Sequence, residues 1–312
     1  FFFKQKTAYE IYQCDWSSDV CSSDLGEGLG AMRPTRKLAA VVGTVVALAA
    51  LNQCFEYGFA GFQINPYYAR IINLVGINIT LAVSLNLING LAGQFSIGHA
   101  GFMAVGGYAA TYLTVYHGAA IAGLFGASVT SALGGTVAML CSLVVGALAA
   151  SGAGVLVGIP SLRLKGDYLA IVTLGFSEII RVIILNIPAV GGATGFTDAI
   201  PLTNFFWIFG MAILAVVVVR NISTSTFGRA LAAVRGDEIA AEAMGVRTTR
   251  YKVLAFVISA GFAGIAGGLS GQLFANPLNP QNLNFVRSIE VIVMIVLGGI
   301  GSTRTEEHTS EL

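Results

Sequence analysis

A cluster of polar side chains within an apolar region is the strongest candidate for function in this chain. The segment from Ser84 to Tyr108 reads SLNLINGLAGQFSIGHAGFMAVGGY. Its glycines interrupt the helix pattern, and non-helical backbone at membrane depth is tolerated only where protein buries it or water reaches it. The segment therefore indicates either a broken helix at a transport site or a wetted cytoplasmic turn at about 89–96. Its polar members are Asn86, Asn89, Gln94, Ser96 and His99.

A pair of charges lies in a second apolar segment. Glu178 and Arg181 are three residues apart, so they share one face of a helix and can pair. Charged groups inside a membrane segment face protein or water rather than lipid. The pair indicates either an ion pair that fixes helix packing or a role in gating. Asp167 is placed to cap the start of this helix.

Two loops carry further signals. The glycine-rich loop Gly191–Thr197 can offer backbone N–H groups to a ligand, or it is a plain connection. The long loop 221–250 contains GDEIAAEAMG, in which Asp237 and Glu238 precede an alanine-rich run that ends at Gly245. Acidic residues at the start and glycine at the end predict a short helix. Such a helix can lie on the membrane surface or dock into a partner.

Several catalytic and metal-binding patterns are absent from the sequence. There is no G-x-x-x-x-G-K-[ST] phosphate loop, no H-E-x-x-H, no G-x-S-x-G and no C-x-x-C. We therefore predict a chain that is not an enzyme, does not hydrolyse ATP itself and holds no metal or other cofactor.

Composition identifies the elements that must position these residues. The 312 residues are 55% hydrophobic and 11% charged, with 39 glycines. Soluble domains carry about 25% charged residues, so an ordinary soluble protein is excluded. Small residues let membrane helices pack closely. The fold class that we predict is all-α, a polytopic helical membrane protein.

Eight apolar segments of helix-spanning length can be drawn along the chain. The stretch 118–132 is apolar as well and is predicted as a short extra helix or re-entrant piece. The first segment has an alternative interpretation as a signal peptide. The eight segments are 38–57, 68–88, 97–116, 133–158, 167–187, 203–220, 251–273 and 285–303.

The distribution of Lys and Arg predicts the orientation. With the N-terminus inside, eleven basic residues fall on the inner side and three fall on the outer side. The loop 221–250 is then cytoplasmic. The outer three are Arg70, Arg181 and Arg287.

The two ends differ from the glycine- and alanine-rich body. Residues 1–25 and 304–312 resemble translated sequencing-adapter DNA, so the credible permease domain is predicted as residues 26–303. This body carries fourteen Lys or Arg and nine Asp or Glu, a net charge of +5 rather than the +1 of the whole sequence.

Taken together, these strings resemble the inner-membrane permeases of ABC importers for branched-chain amino acids, the LivM-type subunit of the LivH/LivM family. Besides the Ser84–Tyr108 string, the matching pieces are LRLKGDYLAIVTLGFSEIIRV, GGATGF, TFGRALAAVRGDEIAAEAMGV, YKVLAFVISAGFAGIAGGL and VIVMIVLGGIGS. The resemblance spans about 38–302. Relatives continue beyond GGIGS, so the body is expected to be truncated at its C-terminus.

The resemblance implies roles that the patterns alone leave open. It implies a cytoplasmic coupling helix that docks into an ATPase, which replaces the membrane-surface interpretation; the coupling residues are Arg229, Arg235, Asp237, Glu238, Glu242 and Gly245. It also implies a translocation path formed by the polar residues of the first string together with Thr173, Glu178 and Arg181. The implied partners are a LivH-like second permease, two ATPases that use ATP and Mg²⁺, and a periplasmic binding protein, at a bacterial inner membrane.

The sequence leaves alternatives open for both the substrate and the class of transporter. Close relatives carry urea or short amides instead of leucine, isoleucine or valine. A different class is an ATP-independent channel or secondary transporter, in which no ATPase docks at Asp237–Gly245.

Overall fold

The computed structural model describes residues 43–44, 46–53, 65–124, 128–129, 131–161, 167–196, 199–273 and 278–299. The chain divides into a short unit, Phe1–Ala49, and a larger one, Ala50–Leu312. In the short unit, residues 43–44 and 46–49 are helical. The adapter-like ends, 1–25 and 304–312, lie outside the described residues, and the first apolar segment, 38–57, is described only in part.

The larger unit is built from helices. Over the described ranges its only other regular feature is an isolated antiparallel bridge between Phe196 and Leu278. The helices are α1 (Pro66–Asn86), α2 (His99–Leu124), α3 (Ala132–Ser161), α4 (Asp167–Leu185), α5 (Phe205–Thr224), α6 (Thr226–Gly236), α7 (Glu238–Ala243), α8 (Thr248–Gly271) and α9 (Phe285–Gly298). A π-helical turn, Leu87–Leu91, extends α1, and short 3₁₀ turns precede α5 and α9.

Six of the helical stretches are long and apolar enough to cross a membrane. They correspond to predicted segments, so the prediction of a polytopic helical membrane protein is confirmed. Helix α2 is longer than most of them, but its glycines, tyrosines and histidines make it less apolar, which suits its position inside the bundle. The total of eight spans stays a prediction, because part of the first segment is not described.

The stretch 118–132 does not form a separate helix where it is described. Residues 118–124 continue α2, and α3 begins at Ala132. The apolar run was wrongly divided because a helix of 26 residues passes beyond the length expected of a single span.

Glycines bring the backbones of α2, α3 and α8 into direct contact. A Cβ added at Gly106 of α2 would lie 2.1 Å from the Cα of Gly264 in α8. A Cβ at Gly264 would lie 2.6 Å from the carbonyl oxygen of Gly146 in α3. Small residues allow this approach, and in a membrane the resulting van der Waals contact is what holds helices together. These three helices form the centre of the bundle.

Helix α9 begins near the middle of the bundle rather than at one end. The backbone N–H of Phe285 donates to Glu178 near the middle of α4, at 3.2 Å. The guanidinium of Arg287 donates to Asn78 near the middle of α1. The segment 278–284 therefore lies in the half of the bundle away from α6 and α7, where Leu278 pairs with Phe196.

Candidate functional site

The first candidate site is the connection between α1 and α2. After the π-helical turn, residues 93–98 run without helical structure, and α2 begins at His99. This interruption fits both the broken helix and the turn at about 89–96 that the sequence left open, and it is shorter than the glycines indicated. Gly101, Gly106 and Gly107 lie inside α2, where they provide close contacts to other helices.

A network of buried hydrogen bonds joins the two ends of this break to α8. The hydroxyl of Ser84 donates to the carbonyl oxygen of Leu81 at 2.8 Å and is hydrogen-bonded to Nε2 of His99 at 2.7 Å. The hydroxyl of Ser259, in α8, donates to the carbonyl oxygen of Ser84. His99 is 1% exposed, and its Nδ1 has no hydrogen-bond partner among the described residues. These hydrogen bonds fix the start of α2 against α1 and α8.

The connecting segment packs against α4 at the predicted residue Thr173. The N–H of Ile97 donates to the Thr173 hydroxyl at 3.2 Å, and a Cβ at Gly98 would lie 2.3 Å from the Thr173 carbonyl oxygen. Asn89 accepts from the N–H of Ser96 at 3.2 Å. The side-chain oxygens of Gln94 and Ser96 are buried without a partner in the described part of the chain. Thr173 and the Asn89–Ser96 turn thus lie close together. The side-chain oxygens of Gln94 and Ser96 can accept further hydrogen bonds there.

The second candidate site is the pair of short helices α6 and α7. Asp237 caps α7 by accepting from the N–H groups of Ile239 and Ala240 at 2.8 and 3.1 Å. Gly245 ends it with a φ of +86°, which favours glycine. The predicted short helix is confirmed. Helix α6 was not predicted as a separate element.

The predicted coupling residues have different positions in these two helices. Glu238 forms an ion pair with Lys252 at 2.8 Å, and Glu242 accepts from the Thr248 hydroxyl at 2.6 Å. Both carboxylates therefore fasten α7 to the start of α8. Arg229 is exposed, and its guanidinium donates to Thr224 at 3.4 Å.

Arg235 links the two candidate sites. Its guanidinium donates to the carbonyl oxygen of Gly90, in the π-helical turn, at 2.6 Å. Gly93 has a φ of +65°, and a Cβ there would lie 2.7 Å from Cγ of Arg235. Arg235 therefore connects α6 directly to the break between α1 and α2.

Two exposed apolar side chains, Ile239 in α7 and Met244 directly after it, were missed by the sequence patterns. Ile239 is 75% exposed and Met244 is 85% exposed. Neither belongs to a long apolar segment, so hydropathy did not indicate them. We call Ile239 and Met244 the α7 surface.

The predicted ion pair on α4 is confirmed and has a third member. Nε of Arg181 lies 2.7 Å from Oε2 of Glu178, and Oε1 of Glu178 accepts from the N–H of Phe285. Carboxylates are favourable at a helix N-terminus, where N–H groups lack helical partners. Glu178 therefore holds the start of α9 in position.

We expect Glu178→Leu to lower the thermal stability of the purified chain more than Glu178→Gln does. Glutamine keeps an oxygen that can accept from Phe285, whereas leucine removes both the ion pair and the acceptor. Loss of a hydrogen bond to a charged group costs about 1.5–3 kcal/mol. Melting of both variants in detergent, followed by tryptophan fluorescence, tests this order. Equal melting temperatures would show that the contact with α9 contributes nothing.

Four backbone N–H groups of the glycine-rich loop are used in hydrogen bonds within the chain. The N–H groups of Gly191, Thr194, Gly195 and Phe196 all donate to backbone carbonyls. The expectation of free N–H donors is wrong for these four residues, because two 3₁₀ turns and the bridge to Leu278 use them.

A cavity of about 450 Å³ lies between α1, the segment 278–284 and α9. None of the predicted path residues lines it. Sequence reasoning missed it because its walls come from distant parts of the chain. Its lining includes Arg70, Leu74, Ile77, Leu273, Arg287 and Glu290.

Comparison with known families gives one match over most of the chain. Residues 67–305 match the model described as "Branched-chain amino acid transport system / permease component". No solved structure matches.

Curated relatives agree with this match. The chain is 34% identical over 278 aligned residues to the high-affinity branched-chain amino acid transport system permease protein LivM of Escherichia coli, covering 77% of this chain and 60% of that protein. It is 28% identical to a probable branched-chain amino acid transport permease protein LivM of Methanocaldococcus jannaschii, covering 76% of each. It is 36% identical over 115 residues to LivH of Salmonella typhimurium, covering 36% of each. The chain thus spans about three fifths of the Escherichia coli relative.

Proposed function

Because the chain belongs to the family of branched-chain amino acid transport system permease components, we propose that it is the membrane-spanning permease subunit of an ABC importer that carries leucine, isoleucine or valine. It catalyses no chemistry of its own in this proposal. ATP and Mg²⁺ act in partner ATPase subunits.

The observation that carries the proposal is the connection from α7 to the break in the bundle. Two exposed apolar residues, Ile239 in α7 and Met244 directly after it, belong to a segment that Glu238 and Glu242 fasten to α8. Helix α6 then contacts Gly90 through Arg235. A partner that moved α7 would therefore move the connection between α1 and α2. Coupling requires such an element, whose position differs between two states of the partner.

The proposal also gives roles to the polar groups at the break. Asn86, Asn89, Gln94, Ser96 and His99 support or line the translocation path, together with Thr173, Glu178 and Arg181. The unpartnered oxygens of Gln94 and Ser96 supply hydrogen-bonding capacity that water or a passing solute can use. Helices α6 and α7 lie on the cytoplasmic side in this scheme, and α9 begins in the outer half of its path.

Uptake by the complete assembly tests the function. We expect proteoliposomes that contain the full chain, a second permease subunit, two ATPases and the binding protein encoded by neighbouring genes to accumulate radiolabelled L-leucine only when ATP is hydrolysed. Isoleucine and valine should compete, and urea should not. A non-hydrolysable ATP analogue is the matched control. Uptake of urea instead of leucine, or leucine uptake that is independent of ATP, would refute the proposal.

A further inference from the structure

The cavity beside α1 has two chemically different parts. Leu74, Ile77 and Leu273 form an apolar part; Ile77 is fully buried and Leu273 is 6% exposed. Arg70, Arg287 and Glu290 form a charged part. A volume of about 450 Å³ falls in the range of about 300–1,000 Å³ typical of small-molecule sites, which combine apolar walls with a few polar groups.

The three charged groups that line the cavity could form more hydrogen bonds and ion pairs than they do within the chain. Arg287 donates to Glu290 at 2.7 Å and to Asn78. The ion pair engages only one carboxylate oxygen of Glu290, whose side chain is 50% exposed. Arg70 is exposed and makes no hydrogen bond or ion pair with the residues that the structure describes. The guanidinium of Arg70 and the free carboxylate oxygen of Glu290 therefore line the same cavity.

The depth of Arg287 and Glu290 in the bundle bears on whether the cavity faces lipid, protein or water. Arg287 contacts Asn78, near the middle of α1, and Glu290 is one helical turn further along α9. Ionisable groups at such depth face water or protein, because exposure to lipid is costly. The half-exposed Glu290 thus indicates that the cavity faces water or another protein rather than lipid.

We propose that this cavity binds a free aliphatic amino acid as its zwitterion. The guanidinium of Arg70 takes the α-carboxylate, the free carboxylate oxygen of Glu290 takes the α-ammonium, and the branched side chain packs against Leu74 and Ile77. The inference rests on the proposed function and adds to it a binding site and a basis for specificity. Urea has neither charge nor an apolar side chain, so the same cavity excludes it.

The first test measures occupancy of the cavity independently of transport. Leu74→Cys, in a chain whose four native cysteines are replaced by alanine, is labelled in the purified complex with a water-soluble thiosulfonate. We expect L-leucine to slow the labelling. Isocaproate, which lacks the ammonium, and isoamylamine, which lacks the carboxylate, should protect only at much higher concentration, and urea should not protect. Ile187→Cys, exposed at the same end of the bundle but outside the cavity, is the control, and leucine should leave its labelling unchanged.

The second test assigns the charged groups. We expect Arg70→Gln and Glu290→Gln, each combined with Leu74→Cys, to raise the half-protecting leucine concentration about tenfold to a hundredfold, as expected for the loss of a hydrogen bond to a charged group. Arg70→Lys should restore part of the affinity. Arg220→Gln, a similar exposed arginine outside the cavity, should leave it unchanged.

The outcomes separate the site from the transport function. Leucine uptake by the unmodified assembly without protection of the Leu74→Cys thiol would overturn the site and leave the proposed function standing. Protection without ATP-driven uptake would support the site and refute the proposed function. If the thiol of Leu74→Cys were labelled in the isolated chain but not in the complex, with or without leucine, the second permease subunit would cover this face and the site would be overturned.

Discussion

Replacing Gly264 with leucine is expected to prevent the chain from reaching its folded state in the membrane. A Cβ at this position would lie 2.5 Å from the Cβ of Ala150 and 2.6 Å from the carbonyl oxygen of Gly146. Both obstacles belong to α3, and one of them is backbone, so no rotamer change relieves the overlap. We expect the cost to reach or exceed the upper end of the about 1–3 kcal/mol usual for overpacking.

The matched control for this variant is Gly152→Leu, in α3. A Cβ added at Gly152 meets no atom within 4 Å, so the same substitution should be tolerated there. The measurement is the yield of monodisperse protein after detergent extraction, followed by thermal unfolding of what is recovered. If both variants gave equal yields, the close contact of α2, α3 and α8 would not be what holds the bundle together.

Replacing Met244 with aspartate is expected to reduce ATP-driven uptake about a hundredfold or more, which corresponds to loss of a binding hot spot. Met244 is 85% exposed, so the free chain loses no packing. In the proposed complex the new carboxylate would enter an apolar pocket on the ATPase without a partner, which is costly. The double variant Ile239→Asp/Met244→Asp should be still less active.

Co-purification distinguishes this effect from misfolding. The variant chain should be extracted in normal amounts and should bind the second permease subunit, but it should no longer retain the ATPases. Ile187→Asp, an exposed apolar residue at the opposite end of the bundle, is the control. Normal uptake by Met244→Asp with ATPases bound would refute docking at the α7 surface.

The structure changes which substitution tests coupling most cleanly. The sequence resemblance implied Glu242 as one of the coupling residues. Glu242, however, accepts from Thr248 and holds the start of α8, so its replacement also disturbs the fold. The side chain of Met244 makes no such contact among the described residues, and its replacement reports on docking alone.

Features set by neighbouring residues were predictable from the sequence. Long apolar runs indicated the spans, a capping aspartate and a terminal glycine indicated α7, and a spacing of three indicated the Glu178–Arg181 pair. Each of these depends on residue types and their spacing within one helix. The contact of Glu178 with Phe285 joins residues 107 positions apart, and no local pattern predicts it.

Features that depend on contacts between distant parts of the sequence were missed or predicted wrongly. Helix α6 is too short and too polar to stand out as an apolar segment, and its role depends on contact between Arg235 and Gly90, 145 positions away. Free N–H groups were expected in the glycine-rich loop because glycine permits many conformations. The pairing of Phe196 with Leu278 removed that freedom. The cavity could not be predicted at all, since α1 and α9 supply its two charged walls from opposite ends of the sequence.

The glycine contacts at the centre of the bundle have a consequence for the entropy of assembly. Glycine has no side-chain rotamers to immobilise, whereas each leucine that is buried loses about 0.5–1 kcal/mol of rotamer entropy. Helices already formed in the bilayer can therefore associate through Gly106, Gly146 and Gly264 while keeping nearly all of the van der Waals gain. At these glycine positions the association of α2, α3 and α8 thus carries little side-chain entropic cost.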